Sequence, residues 1–402
     1  MKKRLLIIGG GAAGLFSAIC AAYQAEQSGK DIEISLAESN ERTGQKLLRT
    51  GNGKCNLLNR TAKACDYFEA ERDLLPVFAN TPESIEEIFN KMGLVTVCDS
   101  ASRVYPKNEC ASSVLNVLRF EAERLNVKFL TGFAVTDIKS SGGLFTVKAA
   151  EDIKCDRIIY CPGSPASVKD YSGDRVLKGL GVEFSPFSPA LCPLNTKENI
   201  KSLKGVRAKG CVSIITPDKT LSQKGEIQFT DNAVSGICVM NLSRFVRENG
   251  AQLSADLAQE FSVRELADII SDKAKKFPLL ECEFLLESIV NKKICIYILK
   301  SLGISPASKI SALSRGDIQN IAHKIKNLSF TVLPPRDFSR AQTARGGISR
   351  KEIDFEHMSL IKYPNLHICG EVADVDGPCG GYNLYWAFAS AKTAAESAVN
   401  DI

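Results

Sequence analysis

The stretch KRLLIIGGGAAGLFSAICAAYQ, Lys3 to Gln24, decides the fold of this chain. A short apolar strand, Leu5 to Ile8, runs through Gly9, Gly11 and Gly14 into a helix of small apolar residues. In this spacing the first glycine allows a tight turn, the second lets backbone approach a pyrophosphate, and the third lets helix and strand pack closely. The helix start adds free N–H groups and about half a positive charge for the phosphates.

A second strand, Ile32 to Ala37, ends at Glu38, whose carboxylate can take both hydroxyls of a ribose. A glycine fingerprint alone is weak evidence, because a chance glycine turn in another α/β protein has the same letters. Here strand, turn, helix, strand and acid occur in the order that the motif requires. The sequence therefore predicts an α/β, Rossmann-like dinucleotide-binding domain.

The loop SNERTGQKLLRTGNGKCNLLN, Ser39 to Asn59, follows the ribose acid directly. Its glycines and amides offer hydrogen-bond donors, and Gln45 and Lys46 can reach a phosphate or a ribose edge. A solvated surface loop has a similar composition. We favour the cofactor interpretation because of the loop's position after Glu38. The glycines and asparagines concerned are Gly44, Gly51, Gly53, Asn52 and Asn56.

A second glycine-rich segment near the C-terminus indicates whether the dinucleotide is FAD or NAD. The predicted strand Leu366 to Cys369 leads into Gly370-Glu371, and GGYN, residues 380–383, then opens a helix from about Leu384. FAD is long enough to need such a late second contact, and a helix N-terminus there would place positive potential beside the flavin N1/C2 carbonyl. The alternative is an ordinary C-terminal amphipathic helix with a glycine-rich start. FAD accounts better for the acid and glycines together.

Blocks from end to end of the chain carry a family resemblance: IIGGGAAGL (7–15), GQKLLRTGNGKCNLLN (44–59), PALCPL (189–194), FTDNAVSG (229–236), ARGGIS (344–349) and GEVADVDGPCGGYNLYWAF (370–388). On these blocks the chain resembles bacterial NAD(P)/FAD-dependent oxidoreductases, the BaiN-like or aminoacetone-oxidase-like FAD flavoproteins. The resemblance implies FAD as bound cofactor and a main-chain contact of Val135 with adenine.

The motifs and the resemblance together predict one set of cofactor-binding residues. The strand Arg157 to Cys161 adds a turn, Pro162-Gly163-Ser164, where backbone can again approach the dinucleotide. The predicted set is Gly9, Gly11, Ala12, Ala13, Gly14, Glu38, Ser39, Gln45, Lys46, Leu47, Gly51, Asn52, Gly53, Cys55, Asn56, Val135, Cys161, Gly163, Gly370, Glu371, Gly381, Tyr382, Asn383, Leu384 and Ala387.

Composition bounds the remaining possibilities. The chain has 402 residues and a net charge of +5, with Lys and Arg scattered among nearly as many acids, so no nucleic-acid track is indicated. Glycines interrupt the apolar start, and no other segment has 18 uncharged apolar residues, so we expect neither a signal peptide nor a membrane span. The 14 cysteines form no CxxC pair and no zinc-spaced cluster, which predicts no metal site and a cytoplasmic location.

The order of segments predicts a discontinuous FAD-binding domain, residues 1–188 and 338–402. The Pro-rich SPFSPALCPL, residues 185–194, marks its first boundary. Alternating segments predict an inserted β-rich module, residues 189–242 and 327–337, and a charged helical pattern predicts a helical module, residues 243–326. An active site is expected where insert and nucleotide domain meet.

The predicted activity is an FAD-dependent oxidoreductase that moves hydride between NAD(P)H, flavin and a small organic substrate, for example an enone or an oxo-steroid such as an oxo-bile acid. With one dinucleotide fingerprint, NAD(P)H must be a transient electron donor, which predicts ping-pong kinetics. Alternatives are an oxygen-using amine oxidase, a flavin-dependent RNA modifier and a non-enzymatic flavin-binding sensor. We expect a monomer or a small homo-oligomer. Candidates for substrate protonation are Tyr382, Arg345, Cys379 and, more weakly, Lys54.

Overall fold

The computed structural model describes residues 2–68 and 70–402. The chain divides into two compact units, the first formed by Met1–Ser188 and Gln342–Ile402 and the second by Pro189–Ala341. The chain therefore returns to the first unit at residue 342, four positions later than the sequence pattern indicates. No helix in the described part of the chain is long and apolar enough to cross a membrane.

A seven-stranded sheet forms the centre of the first unit. Its strands are β1 (Lys3–Ile8), β2 (Ile32–Ala37), β3 (Lys128–Leu130), β4 (Arg157–Tyr160), β5 (Tyr363–Ile368) and two short edge strands, Ser359–Leu360 and Ile353–Asp354. β1 is an interior strand, with β2 and β3 on one side and β4, β5 and the two edge strands on the other. The pairs among β1 to β5 are parallel, and the edge strands pair antiparallel. The predicted α/β fold with a parallel sheet is confirmed.

Two long helices cover this sheet, α1 (Ala12–Ser28) after β1 and α2 (Tyr382–Asn400) near the C-terminus. They pack against each other, because their buried alanines let the backbones approach, and the Phe16 and Phe388 rings meet at 5.0 Å between centroids. The other helices of the unit are Glu71–Leu74, Pro82–Lys91, Ala111–Arg124 and Gly173–Val176. The start of α2 lies two residues before the predicted Leu384.

The first unit also contains short antiparallel sheets. One joins Leu58–Asn59, Arg103–Pro106 and Thr96–Cys98, and another joins Asp137–Ser141, Leu144–Lys148 and Ile153–Cys155. A further two-stranded sheet pairs Phe184–Ala190 with Thr343–Ile348. The last strand approaches the segment after β5 through a bridge between Gly347 and Ala373. This bridge brings the strand 343–348 to the same edge as the carboxyl end of β5.

The second unit has a six-stranded antiparallel sheet and four helices around one hydrophobic core. The strands, in sheet order, are Leu194–Asn195, Ala233–Ser235, Thr220–Phe229, Arg207–Ile215, Gln252–Asp256 and Leu328–Thr331. The helices are Ile237–Ser243, Val263–Lys276, Lys292–Ser301 and Arg315–Lys326. The strand 252–256 falls inside the segment predicted as a helical module, because its five alternating residues are too short to break the surrounding helical pattern.

Candidate functional site

The turn between β1 and α1 has room only for glycine at two positions. A Cβ atom on Gly14 would lie 1.7 Å from the Gly9 carbonyl oxygen, and a Cβ on Gly9 would lie 2.2 Å from the Cys161 carbonyl oxygen. The start of α1 therefore packs directly on the end of β1 and beside the residue that follows β4. At Gly11 a Cβ would meet no described atom within 4 Å, so the turn presents bare backbone there.

The first turn of α1 is open to an anion. Its N-cap is Gly11, no side chain caps the helix, and the first turn contains no acid. The N–H groups of Ala12 and Ala13 lie in this turn, where an α-helix provides no carbonyl partner. Such a helix start attracts negative charge, and phosphate groups are bound in this way in many proteins.

Glu38 lies beside the same turn, at the end of β2. Its Oε2 accepts a hydrogen bond from the Gly10 N–H at 2.9 Å, and its Oε1 accepts from the Asn40 N–H at 2.8 Å and from the Ser39 hydroxyl at 3.2 Å. The Phe133 N–H donates to the Glu38 carbonyl oxygen at 2.9 Å, which brings the segment containing the half-buried Val135 to this corner. The carboxylate is thereby fixed next to the glycine turn.

The buried Cys161 forms the floor of the turn. Its thiol donates to the Ile8 carbonyl oxygen at 3.3 Å. Gly163 follows at the carboxyl end of β4, and a Cβ there would lie 3.8 Å from Oε2 of Glu371. The residues after β1, β2 and β4 therefore meet at one edge of the sheet, which is where parallel α/β sheets bind ligands.

Glu371 joins this edge from the distant end of the chain. Its Oε2 lies 2.5 Å from Lys46 Nζ and accepts from the Ser164 hydroxyl at 3.2 Å, while its Oε1 accepts from the Thr343 hydroxyl at 2.8 Å. The preceding Gly370 is so close to α1 that a Cβ on it would lie 3.2 Å from the Ala13 Cβ. The late glycine-acid pair and the N-terminal glycine turn are therefore neighbours.

The start of α2 lies against the loop after β2. A Cβ on Gly381 would lie 2.5 Å from the Leu58 carbonyl carbon, so only glycine fits at this N-cap, which also has a φ of 99°. No side chain caps the helix. The Asn383 amide instead holds the incoming loop by accepting from the Gly377 N–H and donating to the Gly377 carbonyl oxygen, both at 2.9 Å. The first turn of α2 thus presents a second set of open N–H groups.

The loop from Gly44 to Asn56 divides into buried and exposed parts. Leu47, Cys55 and Asn56 are buried, and burial raises the pKa of the Cys55 thiol to about 12, so it stays protonated at neutral pH. The remaining predicted loop ligands, Gln45, Gly51, Asn52 and Gly53, are exposed or half-buried. On α2, Leu384 is half-buried against the core and Ala387 is buried.

Two candidates for protonation lie at the start of α2. Tyr382 is its first residue, and burial together with the nearby Asp66 raises the pKa of the phenol, while a hydrogen bond with Thr61 opposes the rise. Cys379 lies three residues earlier, with its Sγ 3.8 Å from the Gln342 Oε1. Burial raises the pKa of the Cys379 thiol to about 12, so the thiol stays protonated near neutral pH.

The other two candidates for substrate protonation, Arg345 and Lys54, lie away from the start of α2 in the sequence. Arg345 is half-buried on the strand 343–348, next to Gly346, whose N–H donates to the Asp374 carboxylate at 2.6 Å. Lys54 is exposed and pairs with Glu109 at 2.6 Å, and this pairing raises the pKa of its ammonium group. An ammonium held by a surface carboxylate is a weak candidate for catalysis, and the structure favours a solvated role for Lys54.

Sequence reasoning missed Ser164 and Thr343, the two hydroxyl groups that hold Glu371. Ser164 is fully buried and is the last residue of the identified turn Pro162-Gly163-Ser164, but it was not included among the binding residues. Thr343 carried no signal in the sequence, because it lies just before the ARGGIS block and reaches Glu371 only through tertiary contacts. The Asn383 side chain is committed to the loop at Gly377, so the predicted cofactor contact of Asn383 would come from its main-chain N–H in the first turn of α2.

These features fit FAD. The two helix starts without side-chain caps could donate to a diphosphate and to a ring carbonyl, and Glu38 could accept from the hydroxyls of a ribose. At Gly11 a Cβ would meet no described atom within 4 Å, so a ligand could approach bare backbone there. A cofactor with a phosphate-rich middle and two polar ends matches this distribution.

Sequence similarity to known proteins extends over nearly the whole chain. A 3-dehydro-bile acid delta(4,6)-reductase of Clostridium scindens is 31% identical over 411 residues, which cover 98% of this chain and 99% of the relative. A ribosomal RNA dihydrouridine synthase of Escherichia coli is 24% identical over 403 residues, which cover 98% of this chain and 97% of the relative. A solved 3-ketosteroid delta1-dehydrogenase of Sterolibacterium denitrificans shares the fold, with a TM-score of 0.52 over 99% of both chains at 10% identity.

A family model described as the HI0933-like protein Rossmann domain matches residues 3–397. This match covers nearly the whole chain and agrees with the full-length relative at 31% identity. The resemblance to BaiN-like flavoproteins is thereby confirmed. The chain belongs to the HI0933-like Rossmann-domain family of FAD flavoproteins.

Proposed function

We propose that this protein is an FAD-dependent oxidoreductase that reduces a ring C=C bond conjugated with a carbonyl group, in a small steroid-like substrate. The observation that carries the proposal is the meeting of two uncapped, glycine-led helix starts with Glu38 and Glu371 in one unit. The relative at 31% identity is named as a reductase of a dehydro-bile acid, and the similarity covers 98% of this chain.

The chain's own residues have separate roles in holding the cofactor. The first turn of α1 and Gly11 would donate to the diphosphate, and Glu38 would accept from the ribose hydroxyls. The first turn of α2 would donate to a carbonyl of the ring system and favour negative charge there. FAD, when bound, supplies the two-electron redox chemistry.

We assign protonation of the substrate to Tyr382. Its phenol carries its proton at pH 7, and Tyr382 is the first residue of α2, whose first turn is assigned here to a carbonyl of the ring system. The Tyr382 ring stands beside Gly380, where a Cβ would lie 3.7 Å from the Tyr382 Cε2. Because residue 380 is glycine, no side chain from this position covers that part of the Tyr382 ring.

Electrons would come from NAD(P)H in a transient visit. The chain has one dinucleotide fingerprint, at Gly9 to Gly14, and FAD would hold it permanently. A nicotinamide donor would then bind, reduce the cofactor and leave before the substrate enters. Ping-pong kinetics are the expected consequence. The proposed partners are small molecules only, for a monomer or small homo-oligomer.

The test begins with the visible spectrum of the purified protein, followed by anaerobic reduction with NADH and with NADPH. We expect a flavin spectrum that bleaches with one nicotinamide and recovers on addition of a 3-oxo-Δ4 steroid. Oxygen consumption with an amine, and no reaction with the steroid, would instead identify an amine oxidase. Bound FAD without turnover of either substrate would favour a sensor. A protein that takes up no FAD would refute the proposal.

A second candidate function is reduction of uridine in ribosomal RNA. Two relatives with that name, from Escherichia coli and Haemophilus influenzae, are each 24% identical across 98% of this chain. The chemistry is related, because the double bond of the uracil ring is also conjugated with a carbonyl. Against it stand the higher identity to the bile acid reductase and a net charge of only +5. Dihydrouridine formed on added rRNA, but no steroid reduction, would decide for this candidate.

A further inference from the structure

The side chain of Asn56 has an unusual environment. It is 9% exposed, and its Oδ1 is a buried oxygen without a hydrogen-bond partner among residues 2–68 and 70–402. Buried amide oxygens nearly always accept a hydrogen bond, and leaving one unpaired destabilises the folded protein. An acceptor that the protein itself does not satisfy points to a donor that belongs to a ligand.

The position of this oxygen is informative. A Cβ atom on Gly381 would lie 2.8 Å from Asn56 Oδ1, so the oxygen stands at the N-cap of α2. It nevertheless does not cap the helix, since no side chain accepts from the first turn of α2. An acceptor and a set of open N–H donors therefore lie side by side, neither satisfying the other.

A ligand that fits must carry an N–H next to a carbonyl oxygen. The pyrimidine edge of the flavin ring has this arrangement, with N3–H between the C2 and C4 carbonyls. Adenine also offers a donor beside an acceptor, but the adenosine end is accounted for by Glu38, at the end of β2. The positive end of α2 further favours a group that gains negative charge on reduction, which adenine does not.

We propose that Asn56 Oδ1 accepts the flavin N3–H while the first turn of α2 donates to the neighbouring ring carbonyl. The inference rests on the proposed function, because it requires FAD as the ligand. Asn56 is then a positioning residue: it reads the imide edge and sets the orientation of the ring relative to α2. Sequence reasoning placed Asn56 in the cofactor loop but gave it no atom to bind.

The test uses apoprotein and compares the binding of FAD with that of 3-methyl-FAD, whose N3 has no hydrogen. Binding is measured by the change in flavin fluorescence. Wild-type protein should prefer FAD by roughly tenfold or more, since the analogue loses a buried hydrogen bond and brings a methyl group to Asn56. Asn56→Ala removes the acceptor and makes room for the methyl group, so the preference should shrink to about threefold or less.

Two further variants make the result decisive. Asn56→Asp retains an acceptor oxygen and should keep the preference for FAD, which also covers the case in which Asn56→Ala does not fold. Asn90→Ala, an exposed asparagine on the helix 82–91, is the matched control and should behave as wild type. Equal preferences in wild type and Asn56→Ala, or loss of the preference in Asn56→Asp, would overturn the inference. Wild-type apoprotein that binds neither flavin would instead refute the proposed function.

Discussion

Lys46 Nζ lies 2.5 Å from Glu371 Oε2, although 325 positions separate the two residues in the chain. Their side chains are 26% and 13% exposed, and Ser164 and Thr343 bind the same carboxylate. The ion pair thus links the loop after β2 to the segment after β5, next to the start of α1. Solvent screens an exposed ion pair, so its interaction energy is small. A partly buried pair with additional hydrogen bonds is screened less, so removing one partner has a larger effect on stability.

We predict energetic coupling between these two residues. In a double-mutant cycle of Lys46→Met and Glu371→Gln, the free energies of unfolding should deviate from additivity by about 1 kcal/mol or more. The exposed pair Lys2–Asp31, at 2.8 Å, is the matched control and should show no measurable coupling in Lys2→Met and Asp31→Asn. Additive effects at Lys46 and Glu371 would show that their contact contributes little.

Replacing Gly14 and Gly11 by alanine should affect different properties, the first stability and the second FAD binding. Gly14→Ala should lower the free energy of unfolding by about 3 kcal/mol or more, because its Cβ would overlap the Gly9 carbonyl oxygen at 1.7 Å. Gly11→Ala should unfold like wild type but bind FAD roughly tenfold more weakly, since its methyl group covers backbone that faces the diphosphate. Urea titration and flavin fluorescence separate the two effects. Unchanged FAD affinity in Gly11→Ala would remove the turn from the binding site.

Tyr382 and Cys379 should also separate. Tyr382→Phe removes the proposed proton donor, so kcat for the enone should fall roughly 100-fold while FAD affinity changes little. Cys379→Ser should keep activity within about threefold, because proton transfer is assigned to Tyr382 and serine is close to cysteine in size. Steady-state kinetics and FAD titration of both variants check this. The assignment fails if the serine variant is the inactive one.

The rates of cysteine alkylation should follow the pKa values of the thiols. The hydrogen bond from Ser112, at 3.1 Å between Cys110 Sγ and Ser112 Oγ, lowers the pKa of Cys110 at the start of the helix 111–124. Burial raises the pKa of Cys379 to about 12. Iodoacetamide at pH 7.5 should therefore label Cys110 well before Cys379. Mass spectrometry of peptides after timed quenching measures both rates, and faster labelling of Cys379 would contradict the prediction.

His367 makes the fold sensitive to acid. It is fully buried in β5, its Nδ1 lies 3.0 Å from the His357 carbonyl oxygen, and burial lowers its pKa from 6.5 to about 4. Between pH 6.5 and pH 4 the His367 imidazole is protonated in the unfolded chain but remains neutral in the folded protein. The free energy of unfolding therefore falls as the pH drops through this range. By pH 4.5 the loss should be on the order of 2–3 kcal/mol.

The substitution His367→Asn tests this assignment, because asparagine can still donate to the His357 carbonyl but does not titrate. Urea unfolding at pH 7.0 and 4.5 should show a smaller acid loss in this variant than in wild type. His357 is the control: it is exposed, and its hydrogen bond with Asp354 raises its pKa, which has the opposite sign. An identical acid loss in wild type and His367→Asn would attribute the sensitivity to other groups.

Local spacing in the sequence determined the Rossmann-like class, the position of the glycine turn, Glu38 and the second glycine-acid segment. These features are local because a strand, a tight turn and a helix start each require particular residues within a few positions. The pattern did not place the strand 252–256, which gains its state from pairing with strands on both sides. β-Strands of this length depend on their partners more than on their own letters.

Only the tertiary structure decided which side chains meet at the site. It placed Lys46, Ser164 and Thr343 around Glu371. It also hydrogen-bonded the Asn383 side chain to the loop at Gly377, and it left Asn56 Oδ1 buried and without a described partner beside Gly381. Each of these facts depends on contacts between segments far apart in the chain, which no local periodicity records. The sequence therefore determined where backbone could approach a dinucleotide, and the packing of distant segments determined which polar groups remain available to bind it.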